Sequence, residues 1–143
     1  MALPERVLID TSAFYALRSV TDRFHDQARD AYERLIDREQ ELWTTSYALV
    51  ETVALMHRRL GMEAIIAFED WQGRSRLQVR WIGSQMHGVA WDRFMAEEGR
   101  GLSLVDWTLA TASREMSAPI FTFDAGFAEE GLPVIPAQAA SIL

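Results

Sequence analysis

Apolar residues recur along this chain with two alternating periods, and the alternation predicts its architecture. Val7-Leu8-Ile9 is a short unbroken run that reads as a buried strand, and Asp10-Thr11-Ser12 offers capping side chains for a helical turn from Ala13 to Leu17. Asp22 is placed to cap a helix from Phe24 to Arg38, where Ala28, Ala31, Tyr32, Leu35 and Ile36 recur at helical spacing on one side. Glu41 to Thr44 reads as a second strand. Ser46 to Leu60 is the most apolar helix and is expected to be largely buried; Arg58, Arg59 and Gly61 suit its negative end and its left-handed stop.

Met62 to Gln72 reads as a further helix, Leu77 to Ile82 as a third strand, and Ser84 to Glu97 as a helix that turns Met86, Val89, Ala90, Phe94 and Met95 inward. Ser103 with Asp106 three residues later has the form of a capping box opening a helix through Met116. Pro119 then leads into a strand from Ile120 to Phe123, and Val134-Ile135, between two prolines, reads as a final edge strand. Strands alternating with helices at this spacing predict an α/β fold, with a parallel sheet covered on both faces. No repeat, linker or low-complexity segment interrupts the 143 residues, so one domain over 1–143 is expected.

Composition narrows the chemistry. Cysteine is absent, which removes disulfides, thiolate metal sites and cysteine nucleophiles. All 14 basic residues are arginine, which excludes a P-loop lysine, a Schiff-base lysine and the lysine that partners a phosphorylated aspartate. The N-terminus lacks the form of a signal peptide and no apolar run is long enough to span a bilayer, so a cytoplasmic protein without membrane contact is expected. The net charge of -7 argues against a polyanionic ligand unless acids converge on divalent cations, which invert the local field.

Four carboxylates sit where an apolar pattern would otherwise continue: Asp10, Glu51, Asp106 and Asp124. Taken singly, Asp10, Asp106 and Asp124 each have a structural reading as a cap or turn residue. Glu51 is harder to explain that way, because its helical neighbours are apolar or aromatic, only Thr52 beside it is polar, and no basic residue lies within one turn. Taken jointly, right-handed connections bring the ends of the Asp10 and Asp124 strands to one sheet edge, where the Asp106 helix also starts. Two carboxylates about 4 Å apart repel by about 4 kcal/mol at an effective dielectric near 20. Protonation, separation or a cation must relieve such a cluster. Hard oxygen donors without cysteine or paired histidines favour magnesium or manganese over zinc.

These residues resemble a PIN domain, and the length resembles its VapC-type toxin ribonucleases. The anchors are Val7-Leu-Ile-Asp-Thr-Ser12, Glu51 in an apolar helix, Leu104-Val-Asp-Trp107, and Phe121-Thr-Phe-Asp124 followed by Phe127. The resemblance implies a three-layer α/β/α fold with a short central parallel sheet. It implies a metal-dependent endoribonuclease acting on single-stranded RNA, the toxin of a toxin–antitoxin pair, leaving a 5′-phosphate and a 3′-hydroxyl. By position Asp10, Glu51, Asp106 and Asp124 match the family's acidic quartet, with Mg2+ or Mn2+ as cofactor, while Ser12 and Thr122 match polar positions that orient the carboxylates. A small antitoxin protein and a second copy of the chain are the implied partners. Arg18, Arg23, Arg74, Arg76, Arg80 and Arg93 are candidates for backbone contacts without assignment, and His25, His57 and His87 read as structural. The rival readings are a catalytically silent RNA- or protein-binding module and a metal-dependent phosphatase. The phosphatase would need a second acid at position 12, which is serine, and a lysine.

Overall fold

The computed structural model describes residues 5–136. Five short strands form one sheet in the order β3-β2-β1-β4-β5, every neighbouring pair parallel: β1 (Arg6–Ile9), β2 (Glu41–Thr45), β3 (Gln78–Arg80), β4 (Ile120–Phe121) and β5 (Val134–Ile135). The helices are α1 (Thr11–Arg18), α2 (His25–Asp37), α3 (Ser46–Leu60), α4 (Met62–Ser75), α5 (Ser84–Ala96), α6 (Leu104–Met116) and α7 (Gly126–Glu129). This is a three-layer α/β/α arrangement, as expected. Strand β1 is buried on both faces, which explains its unbroken apolar sequence. Val7 and Ile9 pack with Phe14, Leu35, Met56 and Phe68 on one face, while Leu8 packs with Leu109, Trp107 and Phe127 on the other. Burying each of these strand residues contributes about 1.5–3 kcal/mol.

The strand order fixes where a site can form. From β1 the chain steps outward through β2 to β3, then crosses back to lay β4 on the other side of β1 and β5 beyond it. The crossing leaves a crevice between the carboxyl ends of β1 and β4, the position where open parallel sheets bind ligands. Ile9 is in register with Phe121, so Asp10 and Thr122 emerge from the sheet side by side.

Several details depart from the sequence reading. Helix α3 is half-buried and not largely buried: Ala48, Thr52 and Met56 face inward, whereas Val50, Glu51 and Ala54 are exposed. An apolar residue there covers a surface without joining the core. On α5, Met86 and Ala90 are buried but Val89 and Met95 are exposed, and Ile36 on α2 is also exposed. Strands β3 and β4 are shorter than their apolar runs, because only residues that find a neighbouring strand join the ladder. Asp22 does not cap α2 itself; its carboxylate accepts from the Phe24 N–H at 2.9 Å, one residue upstream of the helix. Helix α7 was not anticipated, four residues being too few to show a period. The reading of the N-terminal segment falls mostly outside the described residues. Among the described residues no helix is long and apolar enough to cross a membrane.

Candidate active site

Asp10 anchors the crevice. It directly follows β1 and caps α1, with Oδ1 accepting from the Thr11 N–H at 2.7 Å. Its Oδ2 accepts from the Ser12 hydroxyl at 2.8 Å and from the Thr122 hydroxyl, which arrives from the end of β4, at 2.7 Å. A carboxylate offers about four acceptor positions, so the three donors leave one free. Asp10 therefore does cap α1, and its contact with Thr122 across the sheet is one that a cap alone would not require.

Ser12 and Thr122 each have one proton, and both protons go to Asp10. Their own oxygens then serve as acceptors: Ser12 Oγ takes the Phe123 N–H at 3.0 Å and Thr122 Oγ1 takes the Asp124 N–H at 2.9 Å. Two hydroxyls thus tie the start of α1 to the backbone after β4 and fix Asp124 relative to Asp10. The Asp124 carboxylate is exposed and accepts from the Gly126 N–H at 2.8 Å, a turn that leads into α7.

Asp106 enters from the start of α6. Ser103 and Asp106 complete the expected capping box: Ser103 Oγ accepts from the Asp106 N–H and Asp106 Oδ2 accepts from the Ser103 N–H, both at 3.1 Å. One oxygen holds the helix terminus, and the other is left for the crevice. Glu51 is exposed on α3 and forms no ion pair among the described residues, as its neighbours in sequence implied. Beside it, Thr52 Oγ1 lies 2.7 Å from the Ala48 carbonyl and 3.0 Å from Thr11 Oγ1, so a buried hydroxyl pair locks α3 against the first turn of α1. Sequence reading noticed Thr52 as the polar neighbour of Glu51 but gave Thr11 only a capping role.

The acids sense one another. Burial raises the pKa of Asp10 against its three hydrogen bonds, and the charge of Asp124 adds to the rise. Asp106 is pushed up to about 6, first by burial, then by Asp10, with a smaller push from Asp124. Glu51 is raised by partial burial and by Asp106, with the Thr11 side chain working against the rise. Asp10, Asp106 and Glu51 are thus each shifted toward the neutral form by burial and by a neighbouring carboxylate. Among the described residues no three acidic or histidine side chains close into a cage for a metal ion. Magnesium does not need one: it keeps several waters and is held by one or two carboxylates together with substrate phosphates. The donor set, all hard oxygen, fits Mg2+ or Mn2+.

The expected roles of the histidines and arginines sort themselves by contact. His25 Nδ1 lies 2.7 Å from the Ala16 carbonyl and joins α2 to α1, a structural role. Arg74 pairs with Asp70 at 2.8 Å, Arg80 holds both oxygens of Glu115, and Arg93 reaches Glu97 and Glu130, so these three face carboxylates of the protein itself.

A sequence profile of the PIN domain matches residues 7–131, and the chain belongs to that family. The 23S rRNA-specific endonuclease VapC20 of Mycobacterium tuberculosis is 25% identical over 126 residues, which span 87% of this chain and 94% of that protein. Its crystal structure, described as that of a sarcin-ricin loop cleaving toxin, matches with a TM-score of 0.75 over 88% of this chain and 95% of its own. Two DNA-bound complexes share the fold: VapBC2 from Rickettsia felis, with a TM-score of 0.68 at 13% identity, and VapBC from Salmonella typhimurium, with 0.65 at 16%. They cover 90% and 91% of this chain and 96% of their own.

Proposed function

We propose that this chain is a metal-dependent endoribonuclease that hydrolyses phosphodiester bonds of single-stranded RNA, and that it is the toxin of a toxin–antitoxin pair. The observation that carries the reading is Asp10: a nearly fully buried carboxylate at the sheet's switch point, oriented by Ser12 and Thr122 and coupled to Asp106 and Asp124. Likeness to VapC20 over nearly the whole of both chains supports it.

Asp10, Asp106, Asp124 and Glu51 would hold Mg2+ or Mn2+, directly or through water, and the ion would polarise the phosphoryl group and lower the pKa of the attacking water. The protein's own part is positional. Ser12 and Thr122 keep Asp10 oriented and keep its single free acceptor position available. Thr122 also fixes the backbone that carries Asp124, and the capping box holds one oxygen of Asp106 still. Glu51, with no cation of its own, contributes negative charge at the exposed rim.

A small antitoxin and a second copy of the chain are the proposed partners. Exposed apolar side chains support contact with protein: Val50 on α3 and Val89 and Trp91 on α5 lie on helices that Tyr47 and His87 link by a 2.5 Å hydrogen bond. Trp81, Met62 and Ile66 are exposed elsewhere. A cytoplasmic location is proposed with them.

The test is cleavage of a labelled single-stranded RNA by purified protein. Cutting that requires manganese or magnesium and disappears in Asp124→Ala supports the reading. Cutting that survives both chelation and Asp124→Ala assigns the activity to a contaminant. A protein that binds manganese but cuts nothing would be the silent module.

A further inference from the structure

A second cleft, of ≈ 330 Å³, opens directly beside the carboxylates. It starts at Ser12 and Asp124 and is walled by the rings of Tyr15, Phe24 and Phe123. Arg59 and Asp22 line it as well. Its wall is tied to the site by covalent structure, since Phe123 stands between Thr122 and Asp124 and its N–H donates to Ser12 Oγ. The rings of Phe24 and Phe123 stack with centroids 4.7 Å apart and 11° between planes. Arg23 lies over the Phe24 ring at 4.5 Å, and Arg59 over the Tyr15 ring at 5.6 Å.

The two arginines differ from those that already face carboxylates. Arg23 and Arg59 are exposed and form no ion pair among the described residues, although the chain carries a net charge of -7. A guanidinium laid on an aromatic ring stays flat and keeps its N–H donors available. Arg59 also lies two turns beyond Glu51 along the ridge Glu51, Leu55, Arg59 on α3, so it extends the acidic rim with the opposite sign. Asp22 has one oxygen on the Phe24 N–H. Its charge repels a phosphate and suits the amino edge of a base, so Arg59 and Asp22 bring opposite preferences to one cleft.

We propose that this cleft is the subsite for the nucleotide next to the cleaved bond of a single-stranded RNA. Arg59 holds its phosphate, the rings of Tyr15, Phe24 and Phe123 pack against its base, and Asp22 accepts from the exocyclic amino group. Single strands fit because their bases can leave the stack, whereas a duplex buries them. This assignment rests on the ribonuclease reading for its chemistry, while the binding arm of its test does not.

The test compares wild type with Arg59→Ala, Arg59→Lys and a control, Arg38→Ala, at the exposed end of α2. Steady-state cleavage with manganese should show KM raised about tenfold in Arg59→Ala with kcat within about twofold, a smaller rise in Arg59→Lys, and no change in Arg38→Ala. The slope of log(kcat/KM) against log salt should fall in magnitude by about 0.7, the share of one phosphate contact on a single strand. Fluorescence anisotropy of a labelled single-stranded RNA in EDTA supplies a readout independent of chemistry. Weaker binding by Arg59→Ala there supports the subsite even if wild type cuts nothing, an outcome that would overturn the ribonuclease reading alone. Equal KM, slope and binding in Arg59→Ala and wild type overturn the subsite while leaving the nuclease standing. Wild type that neither cuts nor binds RNA overturns both.

Discussion

Thr122 has one proton and two obligations. It donates that proton to Asp10 and accepts the Asp124 N–H, so replacing it with valine removes a hydrogen bond from a buried carboxylate and leaves a backbone donor without a partner. A lost hydrogen bond of this kind costs about 1–3 kcal/mol. Because that bond lowers the Asp10 pKa, its loss raises the pKa further. Thr122→Val is therefore expected to retain its fold with a lower melting temperature, to lose at least about tenfold in kcat/KM, and to move the acid limb of its pH profile upward. An unmoved acid limb would show that Asp10 does not govern it. The place of Asp10 after an apolar strand was legible at the residue scale, whereas Thr122 was marked only by the family resemblance and was read as lying inside the strand that in fact ends at Phe121. The pairing of Ser12 and Thr122 oxygens as acceptors was not legible, because it depends on which backbone amides arrive from the other segment.

At the scale of elements, α6 and the turn into α7 carry Asp106 and Asp124 to the crevice. The capping box of α6 was readable from Ser103 and Asp106 alone, because its logic is local. Ser103→Ala should cost about 1 kcal/mol of stability, measured by denaturant melting. It removes the acceptor of the Asp106 N–H but keeps the backbone N–H that holds Asp106 Oδ2, so manganese binding should change far less than stability does. Gly126 tests the other turn. A methyl group there would stand 2.7 Å from Leu102 Cδ2 and 3.2 Å from Asp124 Oδ1. The end of the leucine can swing aside, but the carboxylate must shift, so Gly126→Ala is expected to lower kcat more than it lowers the melting temperature. A variant with unchanged kcat would show that the position of Asp124 is not critical. Helix α3 shows where pattern reading fails at this scale: its apolar content implied burial, yet Val50 and Ala54 face outward. Hydrophobicity of a helix says how much surface it offers, and not whether this chain or another covers it.

For the whole molecule, the cluster of acids sets a stability that varies with pH. A carboxyl with a raised folded-state pKa binds its proton more tightly in the fold than in the unfolded chain. Its stabilising contribution is complete below the unfolded value and is lost as pH rises through the folded one. For Asp106 that window runs from 3.8 to about 6. The metal-free protein should accordingly show a falling melting temperature across this range, with Asp106→Asn flattening much of the slope by differential scanning fluorimetry. At neutral pH manganese should raise the melting temperature of wild type, and Asp10→Asn should blunt that rise. A metal-free melting temperature that climbs from pH 4 to pH 6 would contradict the electrostatic picture of the site. The exposed surface of α3 and α5 gives a further expectation: light scattering should report a dimer, and Trp91→Glu should shift it toward monomer.

The amino-acid sequence by itself determined the alternation of strands and helices, the capping of α1 and α6, and the identity of the acids, because each rests on interactions within a few residues. The tertiary structure alone decided that the chain crosses back over β1 to lay down β4, and so that Asp10 meets Thr122 across 112 positions. Among the described residues it also decided which arginines face carboxylates and which form no ion pair beside the aromatic cleft. Strand order and side-chain pairing are set by packing against the whole sheet, and no local period in the sequence encodes them.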